Sequence, residues 1–373
     1  MIKVIHFIDR IGRGGTQAVL YDWLKHIDRS KVQFDFLVFM DGQEEYIEKF
    51  KDSGCNIYQL SNLSMKKIPK FMNELDVFFK NHHYDIVHGH SKIKNVFFLY
   101  AAMKNGVKVR ISHSHNTQFQ KFAGLGLIMK PMLKCVATDY FACSDIAGIW
   151  LYGKNAYEQG KIKIIKNGVE TDKFTYSELI RNEYRGELDL VDSVVYGHVG
   201  KYMEQKNHTF LIEIFSEIIK KQSNAKLVLI GSGYPDIIEL VNNKIKSLGL
   251  EEVVIQLGLR TDVPMLMQAM DVFLLPSLYE GLPVVGVEAQ AAGLPLLLSD
   301  TITREVGLLS STKYMSLAKS PEEWAAEAID LSQNYKTCRS ETSKEVYNFG
   351  YDSRLVAKEL VDAYCSLLER AGM

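Results

Sequence analysis

Short apolar runs alternate with longer amphipathic stretches along the chain, and the alternation stops once and starts again. Residues 2–8, 32–39, 56–60, 86–88, 107–112 and 140–142 read as buried strands, with helix-like stretches at 17–27, 67–80 and 93–104 between them. A charged segment, SELIRNEYRGELDLVD, interrupts the rhythm over residues 177–192. Strands follow at 193–199, 225–230, 253–256, 272–275 and 296–298, with helices at 207–221, 236–248, 264–270, 283–291, 321–334 and 353–370. Strand-helix alternation demands a parallel sheet covered by helices. Two such blocks in 373 residues predict an α/β fold of two Rossmann-like, doubly wound domains facing a cleft. The expected domains are residues 1–180 and 190–350, with the final helix, about 353–373, packing back on the first. Open doubly wound sheets bind ligands beyond the carboxyl ends of their strands, so functional residues are expected in the loops that follow strands.

Charge divides the chain the same way. The net charge is −1, but residues 1–180 hold 25 Lys and Arg against 18 Asp and Glu, and the remainder holds 19 against 27. Residues 86–138 contain no acid, eight Lys and Arg, and four His, which fits an anionic neighbour such as a phosphate, a pyrophosphate or a lipid headgroup. A near-neutral total argues against a general nucleic-acid binder. The five cysteines (Cys55, Cys135, Cys143, Cys338, Cys365) are scattered without a C-x-x-C, which argues against a disulfide framework or a zinc ribbon and fits a reducing, cytoplasmic compartment. The opening MIKVIHFID lacks the apolar core of a leader, and no apolar run approaches the ~18 residues a spanning helix needs. The chain is expected to be soluble, or peripheral at the inner face of a membrane.

Four motifs sit where ligands are expected. In IDRIGRGGTQ, Gly12, Gly14 and Gly15 lie between the first strand and the first helix, where backbone N–H groups approach an anion. Gln17 stands where the dinucleotide fingerprint has its third glycine, so this is not that motif. VHGHS and ISHSHN each place H-x-H at a strand end, and alternate residues of a strand face the same side. His88 with His90, and His113 with His115, therefore converge in pairs. A metal site, as in a hydrolase, needs a third and fourth ligand that no other pattern supplies. The expectation is one acid/base or substrate-polarising histidine, His115 or His113, with His88 and His90 in the core. VGKYMEQKN places Lys201 and Lys206 five residues apart across a strand-to-helix turn, within reach of one diphosphate. The most specific string is PSLYEGLPVVGVEAQAAGLPLLLSD. Pro283 suits a first helical turn, and the amides of Gly281, Leu282 and Val284 form an anion nest ahead of it. Glu280 and Glu288 are suited to bind vicinal hydroxyls, because a carboxylate accepts two hydroxyl hydrogen bonds.

Taken together, GRGG, DIVHGH, HSHN, IKNGVETDKF, GKYMEQKN, LIGSG and the E-x7-E of YEGLPVVGVEAQAAGLP resemble the GT-B, family-4 retaining glycosyltransferases, in order and spacing over nearly the whole chain. The HSHN form is similar to glycosyltransferases of bacterial capsule and exopolysaccharide assembly. The resemblance implies that Lys201 and Lys206 contact the donor diphosphate, Glu280 the donor sugar and Glu288 the ribose. It implies that Gly281, Leu282, Pro283 and Val284 hold phosphate, that Gly231 and Gly233 form the glycine turn after the domain's second strand, and that Leu259 and Arg260 meet the base. His115 matches the histidine near the anomeric centre, with His113 as the alternative. Gly14 and Gly15 match the loop near the donor phosphate, and Asn167, Gly168 and Val169 a structural turn. Two positions depart from the family: Thr16 stands where Glu often follows GG, and Lys201 replaces Arg, so the bidentate fork is lost.

The reaction implied is a retaining, metal-independent transfer from a nucleotide sugar, with a UDP-sugar expected, to a lipid-pyrophosphate or saccharide acceptor of surface polysaccharide synthesis. No cofactor or metal is expected, and no D-x-D occurs in the chain. The acceptor is expected on the first domain, where residues 118–134, QFQKFAGLGLIMKPMLK, read as an interfacial segment at an anionic bilayer. Two alternatives remain: a nucleotide-sugar epimerase of the same fold, and a metal-dependent hydrolase using the H-x-H pairs.

Overall fold

The computed structural model describes residues 1–12, 14–115, 123–335 and 338–373. The chain divides into two units, Met1–Gly168 with Ser353–Met373, and Val169–Asp352.

The first unit is built on seven parallel strands. They are β1 (Ile2–Ile8), β2 (Val32–Val38), β3 (Ile57–Gln59), β4 (Ile86–Gly89), β5 (Val109–Ser114), β6 (Asp139–Ala142) and β7 (Ile162–Ile164). Their order is β3-β2-β1-β4-β5-β6-β7. The central strands are apolar on both faces because helices cover both sides of a parallel sheet. Every residue of β4 is buried. Phe7 of β1 stacks on Phe98, with ring centroids 4.7 Å apart, and both are fully buried. The last helix, Ser353–Arg370, belongs to this unit. Its Tyr364 is buried and bonds His88, while Arg370 pairs with Asp139 at the start of β6.

The second unit holds six parallel strands: β8 (Val194–Val199), β9 (Ala225–Ile230), β10 (Val254–Gln256), β11 (Val272–Leu275), β12 (Leu296–Ser299) and β13 (Thr312–Met315). Their order is β10-β9-β8-β11-β12-β13. Strands β11 and β12 are buried throughout. Trp324, Tyr196 and Phe215 fill the core on one side of this sheet.

Two features differ from the sequence reading. The charged segment is a helix, Glu178–Glu187, capped by Ser177 and part of the second unit rather than a boundary at 180–190. Its Arg181 and Arg185 reach Asp271, just before β11, at 2.5 and 3.2 Å. The chain changes unit at 168/169 and returns at 352/353. Gly168 marks this crossing: a side chain there would meet the Ser353 Cα at 2.8 Å. The short edge strands β7 and β13 were also not expected. Among the described residues, no helix is long and apolar enough to cross a membrane.

Candidate functional site

In each sheet the strand order runs outward in both directions from one central pair, β1/β4 in the first unit and β8/β11 in the second. Loops leaving such a pair in opposite directions open a crevice at its carboxyl end. The residues singled out from sequence gather at these two places, with very different chemistry.

At the β8/β11 junction the two loops are tied together. The Leu278 N–H donates to the Gln205 carbonyl at 2.8 Å, and the Asn207 side chain donates to the Pro276 carbonyl at 3.2 Å. Lys206 ends a short 3-10 turn, Glu204–Lys206, and does not open the following helix. Asn207, left-handed at φ 55°, lies between them. The Lys206 Nζ sits 2.7 Å from the Glu280 Oε1, with the two side chains only 14% and 11% exposed. Gln205, which the sequence did not single out, donates to the Glu280 Oε2 at 2.9 Å and to the Tyr279 carbonyl at 2.8 Å. Removing one member of such a buried pair strands the other charge at about 3–5 kcal/mol.

Beneath this loop lie His198 and His208, which the sequence did not single out. They meet edge to face at 4.8 Å, and Tyr202 stacks on His208 at 4.2 Å. Burial pushes His198 down to about 4 and His208 down to about 2, with Lys206 adding to both shifts. Both rings are therefore neutral near pH 7 and leave Lys206 as the positive group there.

Glu280 leads into helix Val284–Ala291, preceded by Pro283. Its first turn holds no acid, and no side chain caps it, so the positive end of its dipole is not offset from within. Gly281, Leu282 and Pro283 are buried, while Glu288 is partly exposed on the helix.

The neighbouring loops close the floor. The Gly231 N–H donates to the Gly258 carbonyl at 2.8 Å, and the Gly200 N–H to the Ile230 carbonyl at 2.9 Å. Gly231 has φ +145°, and a side chain there would lie 2.0 Å from the Gly200 carbonyl oxygen. At Gly233 it would lie 2.0 Å from the Tyr202 carbonyl oxygen. Both positions need glycine for this approach. Lys201 is exposed and lies over the Tyr234 ring at 4.5 Å, apart from the Lys206–Glu280 pair. Leu259 is 54% exposed. Arg260 pairs with Asp262 at 2.5 Å and holds that carboxyl down at about 2.

At the β1/β4 junction of the first unit stand five histidines. His6 of β1 pairs in register with His88 of β4, and His113 lies on the neighbouring β5. His90 and His115 follow directly after β4 and β5. The sequence reading joined His88 to His90 and His113 to His115; the sheet adds His6 and brings all five together. The sequence alone does not single out His6. The His6 Nδ1 lies 3.0 Å from the His90 Nε2, and the His90 Nδ1 lies 2.8 Å from the His115 Nε2. The His88 Nε2 lies 3.1 Å from the His113 Nδ1, and the His88 Nδ1 lies 2.7 Å from the Tyr364 hydroxyl. Trp23 stacks against the group, 5.7 Å from His113.

Burial lowers all five pKa values, His6 and His115 to about 3 and the other three well below the ordinary value. The rings are neutral near pH 7, with one proton each. In the run His6–His90–His115 two bonds use two of three protons. The third N–H must emerge at the His6 Nε2 or the His115 Nδ1. Both atoms are buried without a hydrogen-bond partner among the described residues, as is the His113 Nε2. A buried unpaired donor costs about 1–3 kcal/mol. One nitrogen from each of His90, His113 and His115 lies within 4.8 Å of the other two, and the same holds for His6, His88 and His90.

Gly14 and Gly15 open helix Gly15–His26. Gly14 is extended at φ 170°, and a side chain at Gly15 would meet nothing within 4 Å. The helix start is therefore open, and neither glycine is required by a strained turn. Beside it, Lys94 pairs with Asp9 at 2.5 Å. A pocket of about 370 Å³ lies in this unit, lined by Lys94 and mainly apolar side chains such as Phe39, Leu63, Ile93, Phe97 and Met129. Of the interfacial segment expected at 118–134, residues 118–122 lie outside the described residues. In helix Ala123–Val136, Ile128 and Met132 are 68% and 48% exposed, one turn apart.

Comparison with known proteins places both units. Residues 13–173 match the family described as Glycosyltransferase Family 4, and residues 193–334 match Glycosyl transferases group 1. A putative glycosyltransferase, EpsF, of Bacillus subtilis is 29% identical over 372 residues, covering 97% of this chain and 96% of the relative. An Escherichia coli UDP-Gal:alpha-D-GlcNAc-diphosphoundecaprenol alpha-1,3-galactosyltransferase is 31% identical over 251 residues, 64% of each chain. Among solved structures, Anabaena HepE in complex with UDP and glucose superposes with a TM-score of 0.81 at 18% identity, covering 98% of this chain and 100% of that one.

Proposed function

This chain belongs to the family-4 glycosyltransferases of GT-B fold, and from that premise we propose that it is a retaining, metal-independent enzyme of surface polysaccharide synthesis, moving a sugar from a UDP-sugar to a lipid-diphosphate-linked or saccharide acceptor. The observation that carries the reading is the buried Lys206–Glu280 pair, 2.7 Å apart at the β8/β11 junction and next to the uncapped helix Val284–Ala291.

In this reading the helix start and Lys206 receive the donor diphosphate. Two features aimed at one point stabilise the negative charge that grows as the bond from the anomeric carbon to the phosphate oxygen breaks. A fixed ammonium does this without a metal ion. Glu280, turned by Gln205 and Lys206, takes sugar hydroxyls. Glu288, eight residues on, takes the ribose diol, and the loop at Leu259 and Arg260 meets the base. Lys201 adds charge at the rim. The acceptor hydroxyl attacks the face that the diphosphate leaves, and its proton passes to the departing phosphate oxygen. His115 remains the candidate contact near the anomeric centre; with burial holding it at about 3, it acts as a neutral hydrogen-bonding group rather than an acid.

The acceptor reading rests on the first unit. The apolar pocket with Lys94 at its wall suits an acyl or isoprenyl chain that ends in phosphate. The exposed Ile128 and Met132, with Lys134 on the same helix, suit contact with an anionic cytoplasmic leaflet. The Escherichia coli relative is named for a diphosphoundecaprenol substrate, and another relative, Staphylococcus aureus CapH, for capsular polysaccharide biosynthesis. The test is transfer from UDP-sugars to a polyisoprenyl-diphosphate saccharide in the presence of EDTA, with the new linkage read by NMR. Retention of the donor's anomeric configuration, unaffected by the chelator, is expected. Inversion, or activity that returns only with added Mg2+, would contradict the reading.

A further inference from the structure

We propose that the five-histidine cluster of the first unit binds one borderline transition-metal ion of the zinc class, through His90, His113 and His115. It shares His115 with the reading above but rests on the geometry of the first unit alone, so the two can fail separately. Three observations support it. The three rings bring one nitrogen each to within 4.8 Å of one another, the convergence a multi-histidine site needs. The outer rings are placed as metal sites place them: His6 bonds the His90 Nε2, and His88 bonds the His113 Nδ1 and is itself held by Tyr364. Such partners fix the orientation of ligating imidazoles. Third, the His113 Nε2 is a buried ring nitrogen without a partner among the described residues, a lone pair open to an ion.

A neutral imidazole is the form that ligates. An ion between the rings replaces the hydrogen bond between the His90 Nδ1 and the His115 Nε2, each ring then carrying its proton on its other nitrogen. The His90 Nδ1 and the His115 Nε2 are 2.8 Å apart, and two nitrogens on one tetrahedral zinc stand about 3.3 Å apart, so the rings must part by about half an ångström. His115 is partly exposed and follows the end of β5, so it is the ring with room to yield. The ligand type selects the ion. An all-imidazole set without a carboxylate suits Zn2+, Ni2+ or Cu2+ and rejects Mg2+ and Ca2+.

The test uses the full chain stripped with a chelator and titrated with ZnCl2 against a chromophoric competitor, with MgCl2 in parallel. One zinc per chain is expected, with no Mg2+ binding. His113→Gln should weaken zinc at least tenfold, and His6→Ala about 10–100-fold, as loss of an outer partner does. His83→Gln, an exposed histidine of the same unit, should leave it unchanged. Because a core histidine variant can fail to fold, X-ray absorption on the zinc-loaded wild type gives an independent reading. At least three imidazoles in its coordination shell would support the site. No stoichiometric zinc on the folded wild type, or a shell of fewer than three imidazoles, would overturn the proposal.

Discussion

The two units place the same topological feature to opposite use. Each sheet turns outward from a central pair, β1/β4 in one and β8/β11 in the other. In the second unit that junction holds an ammonium, two carboxylates and a helix start. In the first it holds five neutral imidazoles, an indole and a tyrosine hydroxyl. Strand order makes the crevice; the loop and strand-end side chains decide what enters it. A charged junction suits an anion whose charge grows during reaction. A neutral, nitrogen-rich one suits hydrogen bonding or a borderline metal cation.

The largest effect that separates them is acid stability. A histidine held below its unfolded pKa of about 6.5 costs nothing above that pH. As pH falls below it, the unfolded chain takes up protons that the folded ring refuses, so stability falls until the folded pKa is reached. Each ring gives up stability in this way as pH falls from about 6.5 toward 5. Five such rings, His6, His88, His90, His113 and His115, lie in the first unit and two, His198 and His208, in the second. The first unit should therefore lose more stability than the second over this range and unfold first. Hydrogen exchange between pH 7 and 5 reports which unit opens; simultaneous opening would break the comparison.

Lys206→Met comes next. It leaves Glu280 buried without its partner, so about 3 kcal/mol of stability should be lost, and turnover should fall at least a hundredfold. Pairing it with Glu280→Gln removes both charges and should restore the melting temperature but not transfer. Lys201→Met is the matched control: exposed over Tyr234, it should cost under about 1 kcal/mol and lower turnover less. Equal losses at Lys201 and Lys206 would erase the distinction drawn between them.

The glycines give a smaller contrast. Gly233→Ala puts a Cβ onto the Tyr202 carbonyl oxygen and should destabilise the second unit by about 1–3 kcal/mol. Gly15→Ala meets nothing within 4 Å and should change the melting temperature little. If Gly15→Ala still lowers transfer, the open helix start matters for a ligand rather than for folding.

Much of the fold was legible from the chain. The strands Ala225–Ile230 and Val272–Leu275 and the helices Pro321–Asn334 and Ser353–Arg370 end where the apolar pattern ends. Strands β7 (IKI) and β13 (TKYM) escaped because an exposed lysine interrupts each, so neither reads as a buried apolar run. Glu178–Glu187 read as a linker because its charge hid what Arg181 and Arg185 do, which is bind Asp271. At the site, Lys206 and Glu280 could be named because loop position and residue type both point to an anion. Gln205 could not, since its role exists only through a neighbour 75 residues away. His6 was invisible for the same reason: only strand register sets it beside His88, 82 positions later.

The central claim is that the β8/β11 junction holds the nucleotide of the donor. A thermal-shift titration with UDP, GDP and ADP, wild type beside Glu288→Ala, tests it most directly. At about 100 times its dissociation constant, UDP should stabilise the wild type by about 2.7 kcal/mol, and the shift should vanish in the variant. No shift with any nucleotide, or an equal shift in both proteins, would contradict the assignment.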